Sequence, residues 1–281
     1  MDDKPHLFLT GDIHHMSLMT DDQRYLNTTE AKIAEKYVQI ALNYGLKVTL
    51  FVTGKTCKEE PDHVRKLIEY ENVEIGGHGW SAFKHLTLHN FWDVCFGSFC
   101  GPYWYQFKDV QRTIDIIKNT TGKPCVSWRG HALKYDKNTD KILFKNGVKI
   151  VSSMPDPEGQ IGRTDAGLIE VPINIMPDHS YIFHAGVRKD GVPQSFWRKR
   201  VGKFLKRVGI HPFENQVYSA KEWLAQVTEN LDLKLNKGGY ALFLLHPSCM
   251  EIIDEMKTFD KFCRTVSGKG CKSTFLNELI N

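Results

Sequence analysis

The stretch Leu9-Thr10-Gly11-Asp12-Ile13-His14-His15 ends the first apolar run of the chain with an acid and two histidines. Short apolar runs bounded by such polar clusters read as buried strands. Further runs of this kind recur at Leu46–Val52, Val73–Ile75, Cys125–Trp128, Val148–Ser152, Leu168–Val171 and Tyr240–Leu245, besides the first at His6–Thr10. Helical patterns separate most of them. In Thr29–Tyr44, Ile33, Tyr37, Ile40, Ala41 and Tyr44 recur at spacings of three and four, and Gly45 supplies the stop. Asp62–Tyr70, Phe107–Asn119, Asp136–Lys145 and Ser219–Leu235 read the same way. Strands alternating with helices imply a parallel sheet, and about seven such units predict an α/β fold, a deformed (β/α) barrel. No repeat, low-complexity tract or linker divides the chain, so residues 1–281 read as a single domain.

The bulk composition agrees. Hydrophobic residues at 41% and charged residues at 25% are globular values, and a formal charge of +4 calls for no nucleic acid polymer. No apolar run reaches the roughly 20 residues of a membrane span. The start MDDKPHLFLT is acidic where a signal peptide is basic, which predicts a cytoplasmic protein. Seven cysteines without a CxxC pair read as reduced, mostly buried thiols.

In parallel α/β domains, sites form at the carboxyl ends of the strands. Those ends hold Asp12, His14 and His15, then His78, Ser81 and His85, then Arg129 and His131, then His246 and Pro247. A lone histidine after a strand is usually a hydrogen-bonded loop residue, and His15, His89 and His131 read that way. The combination reads differently: an acid, candidate nitrogen ligands, an arginine and a further histidine suit metal-assisted hydrolysis.

Asp12-Ile13-His14 matches the DxH of metallophosphoesterases, but that family's GDxxD and GNH[DE] are absent. More of the chain resembles the polysaccharide deacetylases, carbohydrate esterase family four, in a divergent DxD/DxE-type branch. Thr10-Gly11-Asp12-Ile13-His14 resembles the first motif with histidine in the third position. Glu74-Ile75-Gly76-Gly77-His78-Gly79-Trp80-Ser81 resembles the second, with His85 as its second histidine after a three-residue insertion, Ala82-Phe83-Lys84. Trp128-Arg129-Gly130-His131-Ala132 keeps the arginine of the third. Leu244-Leu245-His246-Pro247 matches the last most closely, and VSSMPDPE and GLIEVPIN resemble pocket walls.

The resemblance implies a metal-dependent N-deacetylase acting on an acetamido sugar or glycan. One divalent ion, zinc with cobalt as a substitute, would lie on His14, His78 and His85 and activate a water. Asp12 would serve as base, Arg129 would hold Asp12 charged, and His246 would protonate the departing amine. Asp156, Asp165 and Glu170 are the candidate carboxylates beside His246. The usual metal ligands are one carboxylate and two histidines, so His14 departs from the pattern. A catalytically inactive carbohydrate-binding barrel is the alternative.

Trp80, Tyr103, Trp104 and Tyr105 are candidate sugar-stacking residues, as is Trp92, and FGSFCGPYWY reads as a loop over the pocket. Residues 196–208, FWRKRVGKFLKRV, form a basic amphipathic pattern. It packs on the barrel or contacts anionic membrane, the latter favouring a lipid-linked or nucleotide-linked substrate.

Overall fold

Alternation along the first strand organises the molecule. The computed structural model describes residues 4–20, 22–179 and 218–280. Its strands are β1 (His6–Ile13), β2 (Val48–Val52), β3 (Val73–Gly77), β4 (Ser127–Trp128), β5 (Ile150–Val151), β6 (Gly162–Arg163), β7 (Ile169–Glu170), β8 (Ala241–Leu244) and β9 (Lys272–Ser273). On β1, Leu7, Leu9 and Ile13 enter the main core beneath the helices, while Phe8 joins a second cluster with Phe51, Ile150, Val171, Ile173, Leu242 and Leu244. Successive residues of a strand face opposite sides, so Thr10 and Asp12 share the side of Phe8.

The strands form one sheet in the order β6-β7-β5-β4-β3-β2-β1-β8, with β9 paired to the start of β1. Every pairing is parallel except β6 with β7. The sheet curls into a deformed (β/α) barrel. Where strand pairing stops between its two ends, a side chain bridges. Asn174 donates through Nδ2 to the Tyr240 carbonyl at 2.9 Å and accepts from the Leu242 N–H at 2.9 Å. It thus offers β8 the donor and acceptor that a neighbouring strand would supply.

The helices are α1 (Glu30–Asn43), α2 (Gly54–Glu59), α3 (Pro61–Leu67), α4 (Leu86–Phe96), α5 (Tyr103–Thr121), α6 (Thr139–Lys145), α7 (Ala220–Asn236), α8 (Pro247–Asp254) and α9 (Lys257–Ser267). Thr29 caps α1 by accepting from the Lys32 N–H, and Ile33, Ala34, Tyr37, Val38 and Ala41 form its buried stripe. Tyr37 stacks on Phe259 of α9 at 3.8 Å, joining the two helices over β1. Ser219 and Glu222 close a capping box at the start of α7.

All seven expected strands are present. The short β6 and β9 and the helices α2, α4, α8 and α9 add to the expected set. FGSFCGPYWY is not one loop: Phe96 ends α4, and Pro102 caps α5, which starts at Tyr103. Residues 196–208 lie outside the described residues. All seven cysteines are free thiols, and four are buried. Among the described residues, no helix is long and apolar enough to cross a membrane.

Candidate active site

The alternation that sends Phe8 inward also builds the site. Continuing along the inner face gives Thr10, Asp12 and His14 from β1; Glu74, Gly76 and His78 from β3; Ser127, Arg129 and His131 from β4; and Leu242, Leu244 and His246 from β8. Each series turns from packing residues to chemically active ones where its strand ends. Gly76 leaves room in this interior, since a Cβ there would lie 2.7 Å from the Phe51 ring.

Arg129 is fully buried and stacks its guanidinium 4.4 Å above that ring. Its Nε donates to the Ser152 carbonyl at 2.7 Å, Nη2 to Ser152 Oγ at 3.0 Å, and Nη1 to Thr10 Oγ1 at 2.9 Å and Asp12 Oδ1 at 3.0 Å. Asp12 Oδ2 lies 3.6 Å from His78 Nε2 and 3.9 Å from His246 Nε2. Burial pushes the Asp12 carboxyl up, but His78, Arg129, His246 and His14 together outweigh it and hold the group well below the usual carboxylate range.

Three imidazoles converge beside this acid. His131 Nδ1 is 3.2 Å from His14 Nε2 and 3.3 Å from His78 Nε2. The far nitrogens are already engaged: His78 Nδ1 donates to the Arg129 carbonyl at 2.9 Å, and His14 Nδ1 lies 3.1 Å from Glu30 Oε2. A carbonyl and a carboxylate only accept, so both protons sit on Nδ1 and both Nε2 atoms present lone pairs to His131. One proton on His131 satisfies only one of them. Burial takes His78 down to about 4 and His131 well below its ordinary value, so neither ring carries charge at neutral pH. Neutral nitrogen donors facing one another fit a divalent ion.

Glu30 gives this cluster its negative charge. The buried carboxylate also accepts the His14 backbone N–H at 2.9 Å and Gln23 Nε2 at 2.9 Å. Burial raises its pKa, but His14 and Gln23 leave it lowered overall. A charge one hydrogen bond behind a ligand fixes that ring's orientation and tautomer.

On the opposite side of Asp12, His246 Nδ1 donates to Asp178 Oδ1 at 2.9 Å, and the His246 backbone N–H donates to Asp178 Oδ2 at 2.7 Å. Burial alone would lower the His246 pKa; Asp178 and then Asp12 reverse this and raise it to about 9. The carboxylate beside His246 is therefore Asp178, and not Asp156, Asp165 or Glu170. A cavity of ≈ 690 Å³ opens onto Asp12, His14, His78, His131 and His246, walled by Leu18, Phe83, Leu86, Leu133 and Pro177.

Two expectations are corrected. His85 does not join His14 and His78: it is exposed at the start of α4. Ala82 and Phe83 take left-handed backbone (φ 49° and 53°) and turn the chain outward before His85, and His131 completes the cluster instead. Trp80 and Tyr105 line a separate, smaller cavity of ≈ 70 Å³ behind His78 and His131, while Tyr103 and Trp104 line neither cavity and are exposed. His131, expected as a loop residue, and Asp178 went unrecognised in the sequence. For His131 the signal was its place two residues beyond Arg129, where His14 stands relative to Asp12.

A sequence profile of the polysaccharide deacetylases matches residues 10–151, just over half of the chain, including the Asp12–His14 stretch shared with the phosphoesterase pattern. No curated protein sequence matches significantly. Among solved structures, the chain is similar to a Mycobacterium smegmatis protein assigned to the polysaccharide deacetylases (TM-score 0.71, 16% identity, covering 99% of this chain and 90% of the other). It is also similar to Puue allantoinase (TM-score 0.64, 12% identity, 98% and 88%). A third likeness is to a family-four carbohydrate esterase pseudoenzyme from Bacillus anthracis (TM-score 0.53, 12% identity, 100% and 67%). At these identities each likeness is one of fold.

Proposed function

Because the chain belongs to the polysaccharide deacetylase family, we propose that it is a metal-dependent hydrolase that removes an N-acetyl group from an acetamido sugar or glycan. The observation that carries this reading is the convergence of His14 Nε2, His78 Nε2 and His131 Nδ1 at 3.2 and 3.3 Å, next to the ion pair of Asp12 with Arg129.

His14, His78 and His131 would hold the ion, with zinc favoured by three imidazole nitrogens and cobalt able to replace it. When bound, such an ion supplies Lewis acidity, polarising an amide carbonyl and acidifying water. Asp12, ionised throughout the physiological range, takes the proton of the attacking water. Arg129 is a positioning residue: it keeps Asp12 charged and fixes Oδ1, leaving Oδ2 toward the cavity between His78 and His246. His246, held cationic by Asp178, passes a proton to the departing amine nitrogen as the carbon–nitrogen bond breaks. Water yields one proton to Asp12 and its hydroxyl to the acyl carbon, so the products are acetate and the free amino sugar.

Metal content of the purified protein, measured by mass spectrometry, tests the reading together with acetate release from acetamido sugars. About one zinc per chain is expected in the wild type, lost in His14→Ala, His78→Ala and His131→Ala and retained in His85→Ala. A wild type that stays empty after zinc is supplied and releases no acetate would sink the hydrolase and leave a carbohydrate-binding barrel.

A further inference from the structure

Helix α4 buries little of its surface against the other described residues. Of its eleven residues only His89 and Trp92 are buried, one turn apart, and they pack on Phe99 and Tyr105. Beside the exposed polar residues Thr87, Asn90 and Asp93, the helix carries large apolar groups into solvent: Leu86 is 59% exposed, Phe91 56%, Val94 86% and Phe96 57%, and Trp104 in the first turn of α5 is 66% exposed. A helix apolar on nearly every side is at home in a core or a membrane, and a contiguous patch of this kind marks a contact surface.

The charges around the patch select its occupant. Two lysines lie over aromatic rings beside the patch, Lys134 at 5.1 Å from Phe99 and Lys145 at 5.6 Å from Tyr103. A second copy of the chain would bring these cations against their own kind. Residues 180–217 carry eight Lys and Arg against two acids, the same sign again. An anionic bilayer complements both parts, taking the apolar helix among its acyl chains and the lysines among its phosphates. Trp104 and Tyr103 are the side chains that favour the boundary between those layers.

We propose that α4 and the first turn of α5 dock the protein on an anionic lipid surface. Leu86 and Lys84, at the start of this face, also line the cavity that holds Asp12 and the histidines, so docking brings the cavity mouth to the membrane. A glycan carried on a lipid anchor is the substrate class this geometry suits. That substrate class rests on the hydrolytic reading; the docking does not, because vesicle binding is measured without turnover.

The test is cosedimentation of the full-length protein with phosphatidylglycerol vesicles and with phosphatidylcholine vesicles, alongside light scattering for oligomeric state. The wild type is expected to bind the anionic vesicles and Leu88→Glu/Phe91→Glu/Val94→Glu to bind at least about tenfold more weakly, because each change removes buried apolar area and adds repulsion. These positions are exposed, so thermal melting should be unchanged, and Lys134→Glu/Lys145→Glu should weaken binding to the anionic vesicles alone. Absence of wild-type binding overturns the proposal. So does binding that survives the α4 substitutions but disappears in Lys203→Glu/Lys206→Glu/Arg207→Glu, or a dimer that the α4 substitutions dissociate in a protein indifferent to lipid.

Discussion

One carboxylate, Asp178, holds His246 twice, through the ring Nδ1 at 2.9 Å and the backbone N–H at 2.7 Å. The double attachment fixes where the imidazole points and which form it takes. With its pKa raised to about 9 in the folded protein, His246 contributes stability that is fully present below its unfolded value near 6.5 and lost as pH rises through 9. The alkaline limb of deacetylation should therefore fall near pH 9. Asp178→Asn keeps the shape and removes the charge, so that limb should move down by at least about one pH unit, and turnover at pH 8 should drop at least about twofold. A pH–rate profile of both proteins checks this, and an unmoved limb would assign it to another group.

Removing Arg129 should be costly for a different reason. Arg129→Met leaves Asp12 charged, buried and without its cation, a change that typically costs about 3–5 kcal/mol. Adding Asp12→Asn should recover part of the loss, because the stranded charge is gone. Urea unfolding of the two variants and the wild type measures the recovery, and equal stability of the single and double variants would contradict the pairing.

Glu30→Gln should spare the fold more than the metal. The amide introduced there can still hydrogen-bond, but it withdraws the negative charge from behind His14, so zinc affinity is expected to fall about 10–100-fold. Competition against a chromogenic chelator reads this directly, without substrate. Affinity equal to the wild type would mean that Glu30 only packs.

The bridge made by Asn174 is a stability prediction. Asn174→Leu removes both hydrogen bonds to β8 and leaves the Leu242 N–H and Tyr240 carbonyl unpaired in a buried setting, which should cost about 1–3 kcal/mol for each group left unmet. Thermal unfolding compared with a surface variant such as Lys149→Gln tests it.

Much of the barrel was legible because buried parallel strands read as continuous apolar runs, from Leu46–Val52 to Tyr240–Leu245. Helix α1 was legible through its apolar spacing and its glycine stop. Helix α4 was not, because its apolar residues fall around the whole circumference rather than on one stripe, and α8 was not, because it begins at Pro247 directly after a strand-end histidine with no side-chain cap. Asp12, His78, Arg129 and His246 could be drawn from strand ends alone. Asp178 could not, since it lies outside any periodic pattern and meets His246 only through the fold. His85 was assigned by spacing, and spacing does not reveal which way Ala82 and Phe83 turn the chain.

That outward turn changes when the cluster can come into being. A pair of histidines four residues apart can grip an ion while most of the chain is still unfolded. Here the donors come from positions 14, 78 and 131, and they meet only once β1, β3 and β4 have taken their places in one sheet. The ion would arrive last, as a reader of completed topology, since even a chain with β1 to β3 assembled would offer it only His14 and His78. Since binding would then favour the native state alone, zinc at a hundred times its dissociation constant should raise the unfolding free energy by about 2.7 kcal/mol, and ion capture would be a late checkpoint in folding.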